Sequence, residues 1–141
     1  MLDGKEIRAG WLCKHSYLVM QDVNYQLFAE SVEAECLLGN TGITERDVDE
    51  ALKTTDLISF KQRHPNTLSG GQKQRLSVTV SSIGNREIIL FDEPTSGLDG
   101  KNMCRIARII KDLANAGKYD VVVSHDHEYL NRCSDKIINI S

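Results

Sequence analysis

Residues 88–94 read IILFDEP, four apolar residues followed by two carboxylates and a proline. A short unbroken apolar run of this kind is typical of a strand that is buried on both faces of a parallel sheet. Carboxylates directly after such a strand lie at its carboxyl end, where open α/β sheets bind their ligands. The stretch therefore predicts an α/β fold and a candidate site that contains Asp92 and Glu93.

The residues after this stretch predict a second strand that is parallel to the first. Apolar positions over residues 103–114 repeat at helical spacing, and Gly117 ends that helix. Residues 121–123 then predict a second buried strand, which ends in a serine, a histidine and an aspartate at 124–126. The order strand, helix, strand is that of a parallel βαβ crossover. Two further predicted elements finish the chain, a helix at 129–133 and a strand at 136–140.

Upstream of the apolar run, the pattern changes to short helices. Residues 16–20 predict the end of a strand, which a polar loop beginning at Gln21 interrupts. Ser31 and Thr44 are each predicted to cap the start of a helix. The sequence LSGGQ at 68–72 is a glycine loop that leads into another helix, and such a helix start favours anions.

Composition excludes several classes of protein. A net charge of −3 over 141 residues gives no basic surface for nucleic acid. The apolar runs are far shorter than the roughly 20 residues that span a bilayer, so we expect any membrane association to go through a partner. Four cysteines stand singly with no CxxC pair, and Met1 begins no charged-then-apolar leader. These features favour a protein of the cytosol.

Four motifs occur in an order and spacing that resemble the nucleotide-binding domain of ABC ATPases. They are LSGGQ at 68–72, Asp92-Glu93 after the apolar run, SGLD at 96–99, and Ser124-His125. The resemblance implies a partial P-loop NTPase, or RecA-like, parallel sheet flanked by helices, with a small helical signature subdomain. Three segments follow from it: a strand and Q-loop at 1–24, the helical subdomain at 25–84, and the remaining catalytic core at 85–141.

The resemblance assigns roles to the residues at the strand ends. Asp92 resembles the Walker B aspartate that holds Mg²⁺, and Glu93 resembles the catalytic base that activates water. His125 resembles the switch histidine, which contacts the γ-phosphate and helps to position Glu93. Gln21 resembles the Q-loop glutamine, which senses both Mg²⁺ and the attacking water. A plainer alternative is that Asp92 and Glu93 only form a turn before Pro94.

A second group of residues resembles the face that acts on a nucleotide held by another subunit. Glycines allow backbone amides to approach a phosphate closely, and a serine hydroxyl adds a donor. In the family this loop caps the γ-phosphate of ATP on the opposite subunit, and the D-loop aspartate communicates across the dimer. The residues that match are Ser69, Gly70, Gly71, Gln72 and Asp99.

The function that the resemblance implies is an ATP-binding and ATP-hydrolysing subunit of an ABC transporter. The expected cofactors are ATP and Mg²⁺. The expected partners are a second ABC domain, arranged head to tail, and an integral membrane permease; no nucleic acid is expected. The protein would lie in the cytoplasm at the inner face of the membrane. Residues 21–33 are similar to ATPases of energy-coupling-factor, or cobalt-type, importers.

The family's phosphate loop, GxxxxGK[ST], is expected upstream of Gln21 and does not occur there. The Gly-Lys pairs at 4–5 and 117–118 are not followed by Ser or Thr. We therefore expect a truncated domain that neither binds ATP tightly nor hydrolyses it alone. Loss of an interior strand would leave unpaired sheet edges, which predicts oligomerisation, strand exchange or partial disorder.

The sequence leaves two other functions open. One is a soluble ABC ATPase that acts on ribosomes or DNA, although such proteins usually carry tandem domains or long coiled coils. The other is a non-catalytic binding module, which would lend its LSGGQ face to an intact ABC domain.

Overall fold

The computed structural model describes residues 8–140. The Gly4-Lys5 pair and the beginning of the predicted segment 1–24 therefore lie outside the described residues. Within them the chain forms six α-helices and three β-strands. In chain order these are α1 Ala9–His15, β1 Ser16–Val19, α2 Val32–Leu37, α3 Glu45–Thr54, α4 Gly70–Ile83, β2 Ile88–Asp92, α5 Gly100–Asn115, β3 Tyr119–Val123 and α6 His127–Cys133.

The three strands form one parallel sheet in the order β1-β2-β3. Val19 of β1 lies opposite Phe91 of β2, and Asp92 lies opposite Val123 of β3. Helix α5 connects β2 to β3, which confirms the predicted crossover. Because parallel strands end at the same edge, the residues after β1, β2 and β3 are brought to one side of the molecule.

The main core lies on one face of this sheet. Val19, Ile89 and Phe91 point to that face and are buried against helices α4, α5 and α6. The prediction that β2 is buried on both faces was wrong for the described part of the chain. Leu90 points to the other face and is only half-buried, because no helix of residues 8–140 covers it there.

The strand predicted at 121–123 is present, but it is not buried as predicted. Val121 is 48% exposed and Val123 is 58% exposed, because β3 is the last strand on its side of the described sheet. The strand predicted at 136–140 is absent, and those residues are irregular and exposed. A strand needs a neighbour for its backbone hydrogen bonds, and no strand within residues 8–140 pairs with this segment.

The middle of the chain has its own apolar cluster. Leu52, Leu57 and Leu76 are fully buried in it, and side chains from α2, α3 and α4 surround them. Ser31 caps α2 as predicted, and Thr44 forms a complete capping box with Asp47 at the start of α3. The predicted division at 25–84 remains a prediction, since Tyr17 packs against this cluster and the sheet core alike.

Across the described residues, none of the helices is both long and apolar enough to cross a membrane.

We expect Ile89→Ala to lower the free energy of unfolding by about 2 to 5 kcal/mol, because it leaves a cavity in the centre of the sheet core. The matched change Val121→Ala, on the exposed face of the neighbouring strand, should cost less than about 1 kcal/mol. Urea denaturation of both variants measures the difference. Equal losses would contradict the one-sided core.

Candidate functional site

The candidate site is built at the carboxyl edge of the sheet. Asp92 is the last residue of β2 and is exposed, and the chain turns immediately after it. His125 follows the end of β3 by two residues, and Gln21 follows the end of β1 by two residues. The three predicted strand-end positions therefore share one edge, as the parallel topology requires.

Glu93 has an unusual backbone conformation. Its φ is +47°, in the left-handed region that non-glycine residues rarely adopt. The cost of such a conformation is on the order of 1 kcal/mol or more and must be offset by local contacts. Its backbone N–H donates to the Val123 carbonyl at 2.9 Å, which extends the β2–β3 pairing by one residue. This conformation turns the side chain towards the end of β3.

The Glu93 carboxylate is the hydrogen-bonding centre of the strand-end cluster. Its Oε1 accepts from the His125 backbone N–H at 3.0 Å and from His125 Nδ1 at 2.7 Å. Its Oε2 accepts from the Ser124 hydroxyl at 3.1 Å. An ionised carboxylate can only accept, so the Nδ1 atom of His125 carries the proton in this contact. Its Nε2 makes no hydrogen bond to any described residue.

This contact shifts the pKa values of both partners towards the charged pair. Partial burial of Glu93, whose side chain is 16% exposed, opposes ionisation, but the hydrogen bonds from His125 and Ser124 outweigh it and lower its pKa. The hydrogen bond to Glu93 is the main cause that raises the pKa of His125, whose side chain is 88% exposed. The site therefore holds an ionised glutamate beside a histidine that is readily protonated.

Asp92 offers its carboxylate without a partner among residues 8–140. No group of three or more His, Cys, Asp or Glu side chains in that part of the chain could enclose a metal ion. A Mg²⁺ ion is commonly held by one or two carboxylates together with waters and substrate phosphates, and this arrangement needs no enclosed cage. Asp92 fits that mode of binding, because it is exposed at the strand end.

Gln21 is exposed, and its side chain makes no hydrogen bond to the described residues. Its loop is held by Gln26, a residue that the sequence analysis did not select. The Gln26 side chain accepts from the Met20 N–H at 2.8 Å and donates to the Leu18 carbonyl, so it pairs with the outer edge of β1 as a strand would. Asn24 in the same loop accepts from Lys73 of α4 at 2.7 Å.

The LSGGQ sequence forms the start of α4. Ser69 is the N-cap, and it exchanges hydrogen bonds with Gln72 in a capping box. Gly70 has open space where a side chain would begin, whereas a Cβ on Gly71 would lie 3.4 Å from Leu98. The first amides of a helix have no acceptor within the helix, so this end can bind an anion.

Asp99 caps α5, the helix that follows the turn after Glu93. Its Oδ1 accepts from the Asn102 N–H at 2.8 Å, and its Oδ2 accepts from the Asn102 side-chain amide at 3.2 Å. The contact between Gly71 and Leu98 places this turn beside the LSGGQ sequence. The candidate residues thus form two groups, one around Glu93 at the strand ends and one at the starts of α4 and α5.

Two of the three remaining histidines have local structural contacts. His15 pairs with Glu87 at 2.9 Å and stacks on Trp11, at the opposite end of the sheet. His64 accepts from the Asn66 N–H at 3.1 Å. Ser124 also belongs to the site, although no role was predicted for it from the sequence. The signal that could have found it is its position directly before His125.

We expect the imidazole of His125 to titrate above its usual pKa of 6.5, and Glu93→Gln to return it towards that value. The charged pair is complete between pH 4.5, the usual pKa of glutamate, and pH 6.5, the usual pKa of histidine. It is lost as pH falls through the lowered pKa of Glu93 or rises through the raised pKa of His125. NMR titration measures both, with Glu87→Gln as the control that leaves His125 unchanged.

Comparison with known proteins finds relatives among ABC transporter ATP-binding proteins. A putative ABC transporter ATP-binding protein of Treponema denticola is 45% identical over 99% of this chain, which covers 28% of that relative. One from Pyrococcus furiosus is 33% identical over the whole chain, covering 58% of the relative. The energy-coupling factor transporter ATP-binding protein EcfA of Methanococcus maripaludis is 32% identical over 85% of the chain and 45% of its own length.

Among solved structures, cbiO1 from Clostridium perfringens, part of the ABC transporter complex cbiONQ, is 28% identical with a TM-score of 0.73. It matches 88% of this chain, which covers 53% of cbiO1. The chain thus spans between 28% and 58% of the length of these proteins. A family model described as ABC transporter matches residues 2–96. The chain belongs to the ABC transporter family, in agreement with the resemblance of its motifs.

Proposed function

We propose that this chain is part of an ATP-binding and ATP-hydrolysing subunit that drives transport through a membrane permease. The observation that carries the proposal is the contact of Glu93 with His125 beside the exposed carboxylate of Asp92. Relatives over nearly the whole chain carry the name of ABC transporter ATP-binding protein, which supports the same role.

In this proposal the strand-end cluster acts on the terminal phosphate of ATP. A bound Mg²⁺ ion would offset charge on the phosphate oxygens, and Asp92 would hold it, with Gln21 facing the same ion and the attacking water. Glu93 would accept a proton from that water, since its lowered pKa keeps it ionised. His125 would orient Glu93 and leave its Nε2 available for a phosphate oxygen.

The starts of α4 and α5 would act on a nucleotide held by a second ABC domain. Ser69, Gly70, Gly71 and Gln72 would contact its γ-phosphate, and Asp99 would face the dimer interface. Gly70 supports this role, because open space surrounds the position where other residues carry a Cβ. The first amides of α4 provide donors and a favourable dipole for such a phosphate.

A permease would bind the surface next to the Gln21 loop. Tyr25 and Phe28, three residues apart in the chain, expose 70% and 72% of their surface there. Neighbouring exposed apolar side chains of this size indicate a protein interface. EcfA is named as a transporter ATP-binding protein, and cbiO1 is named as part of a transporter complex. Both names support a partner that belongs to a transporter. The subunit would then lie at the inner face of the membrane.

In this proposal a phosphate loop outside these 141 residues would complete the nucleotide site, since they contain no GxxxxGK[ST] motif. We therefore expect this chain alone to bind ATP weakly and to hydrolyse none of it.

The proposal predicts that hydrolysis depends on Glu93 once a phosphate loop is supplied. In a fusion protein, the phosphate-loop segment of an intact ABC ATPase domain such as cbiO1 would be joined to the N-terminus of this chain. We expect Mg²⁺-dependent ATP hydrolysis, with kcat lowered about 10²- to 10⁴-fold by Glu93→Gln, because a general base is lost. Glu87→Gln, one residue before the start of β2 and away from the strand-end cluster, is the matched control. Equal turnover of both variants would contradict the assignment.

A second prediction concerns Gly70. Gly70→Ala should keep or slightly raise the melting temperature, since the added Cβ meets open space at the start of a helix. The same change should weaken ATP-dependent association with an intact ABC domain, because the Cβ would occupy the space of the phosphate. Gly10→Ala in α1, also with open space, is the control. Light scattering with and without ATP measures association; unchanged association of the Gly70 variant would argue against a phosphate at this loop.

A further inference from the structure

Arg75 is a buried charged residue that connects three separate segments of the chain. It lies on α4, three residues after LSGGQ, and only 7% of its surface is exposed. Its Nε donates to the Thr55 carbonyl at 3.0 Å, at the end of α3. Its Nη1 donates to Asn102 Oδ1 at 2.7 Å, on α5. A buried guanidinium is costly unless such acceptors are provided, so both contacts are needed to keep it there.

Asn102 continues this connection to Asp99. Because its Oδ1 faces Arg75, its side-chain amide nitrogen faces the other way and donates to Asp99 Oδ2. Its backbone N–H donates to Asp99 Oδ1. Both oxygens of the Asp99 carboxylate are thereby held by one residue, and Arg75 determines the orientation of that residue.

A second contact lies one helical turn earlier on the same face of α4. Gly71 packs against Leu98, because a Cβ added to Gly71 would lie only 3.4 Å from the Leu98 side chain. Residues four apart on a helix lie above one another, so Gly71 and Arg75 both contact the segment 98–102. The LSGGQ sequence and the Asp99 turn are therefore packed together as one unit.

The geometry requires an arginine at this position. Its planar guanidinium presents donors in a fixed fork, so a single side chain can reach the Thr55 carbonyl and Asn102 in different directions. A lysine keeps the positive charge but carries all its donors on one nitrogen at the end of a flexible stem. It therefore lacks the fixed spacing between Nε and Nη1 with which the guanidinium meets its two acceptors.

We infer that Arg75 is a positioning residue that acts through Asn102 to hold the carboxylate of Asp99 in fixed register with the LSGGQ loop. The inference rests on the proposed function, in which both elements act together on the nucleotide of a second domain. It adds a role for a residue that was not predicted from the sequence.

Amide hydrogen exchange of the 141-residue chain, followed by NMR, tests this connection directly. The amide of residue 102 lies in the first turn of α5, so its protection comes from Asp99 and not from the helix. Arg75→Lys should raise its exchange roughly tenfold, the effect of one lost charged hydrogen bond, while amides in the middle of α4 and α5 change little. Arg105→Gln is the control, because it breaks only the contact of Arg105 with Asp56 between the same parts of the chain.

Asn102→Ala keeps the test valid if the Arg75 variant does not fold. On its own it should raise exchange at position 102 by a similar factor, because it interrupts the same connection and leaves the buried arginine in place. Where Arg75→Lys folds, adding it to Asn102→Ala should have no further effect there. Additive effects, or an Arg75→Lys variant whose exchange at position 102 equals that of Arg105→Gln, would overturn the inference.

The phosphate-loop fusion described above supplies the functional measurement. Arg75→Lys should lower kcat roughly tenfold and leave KM for ATP unchanged, since Arg75 acts on Asp99 and not on the bound nucleotide. A change in KM alone, or loss of both parameters in proportion to lost stability, would count against a positioning role. If the fusion with Arg75 intact hydrolyses no ATP, the proposed function fails, and the exchange measurement still decides the connection.

Discussion

The hydrogen-bonded pairing of β2 with a parallel strand on each side governs the rest of this structure. Since all three strands run in one direction, their carboxyl ends lie at one edge, and the loops that follow them must meet there. The register sets the details, because Asp92 lies opposite Val123 and Glu93 continues the pairing by one further hydrogen bond. A shift by one residue would turn Phe91 out of the core and separate Glu93 from His125.

The strand-end cluster shows how local strain and electrostatics are balanced. Glu93 has an unfavourable left-handed conformation, and it is partly withdrawn from water. Three hydrogen bonds to the Ser124-His125 segment offset both costs and keep the carboxylate charged. A strained backbone that is held by contacts to a neighbouring strand end is typical of residues that must present a side chain accurately.

Much of this arrangement could be predicted from the sequence, because periodicity and capping residues are local signals. The helices α2 to α5, the three strands and the meeting of Glu93 with His125 follow from apolar patterns and from the parallel crossover. Burial could not be predicted as well. An apolar run such as 121–123 reads as a buried strand, yet its exposure depends on which elements lie beside it. Gln26 and Arg75 were missed for a related reason: their partners are distant in sequence, and neither residue carries a local pattern.

The side-chain amide of Gln26 gives the two sides of the sheet different properties. By bonding to Leu18 and Met20 it occupies backbone positions on the outer side of β1 that another strand would otherwise use. Within residues 8–140, β3 has no such cover. An added strand is therefore directed to Tyr119–Val123, so a segment of the same polypeptide and a segment of another molecule would compete for a single position. A segment of the same polypeptide would have the advantage, because its covalent link keeps its local concentration high while other molecules are dilute.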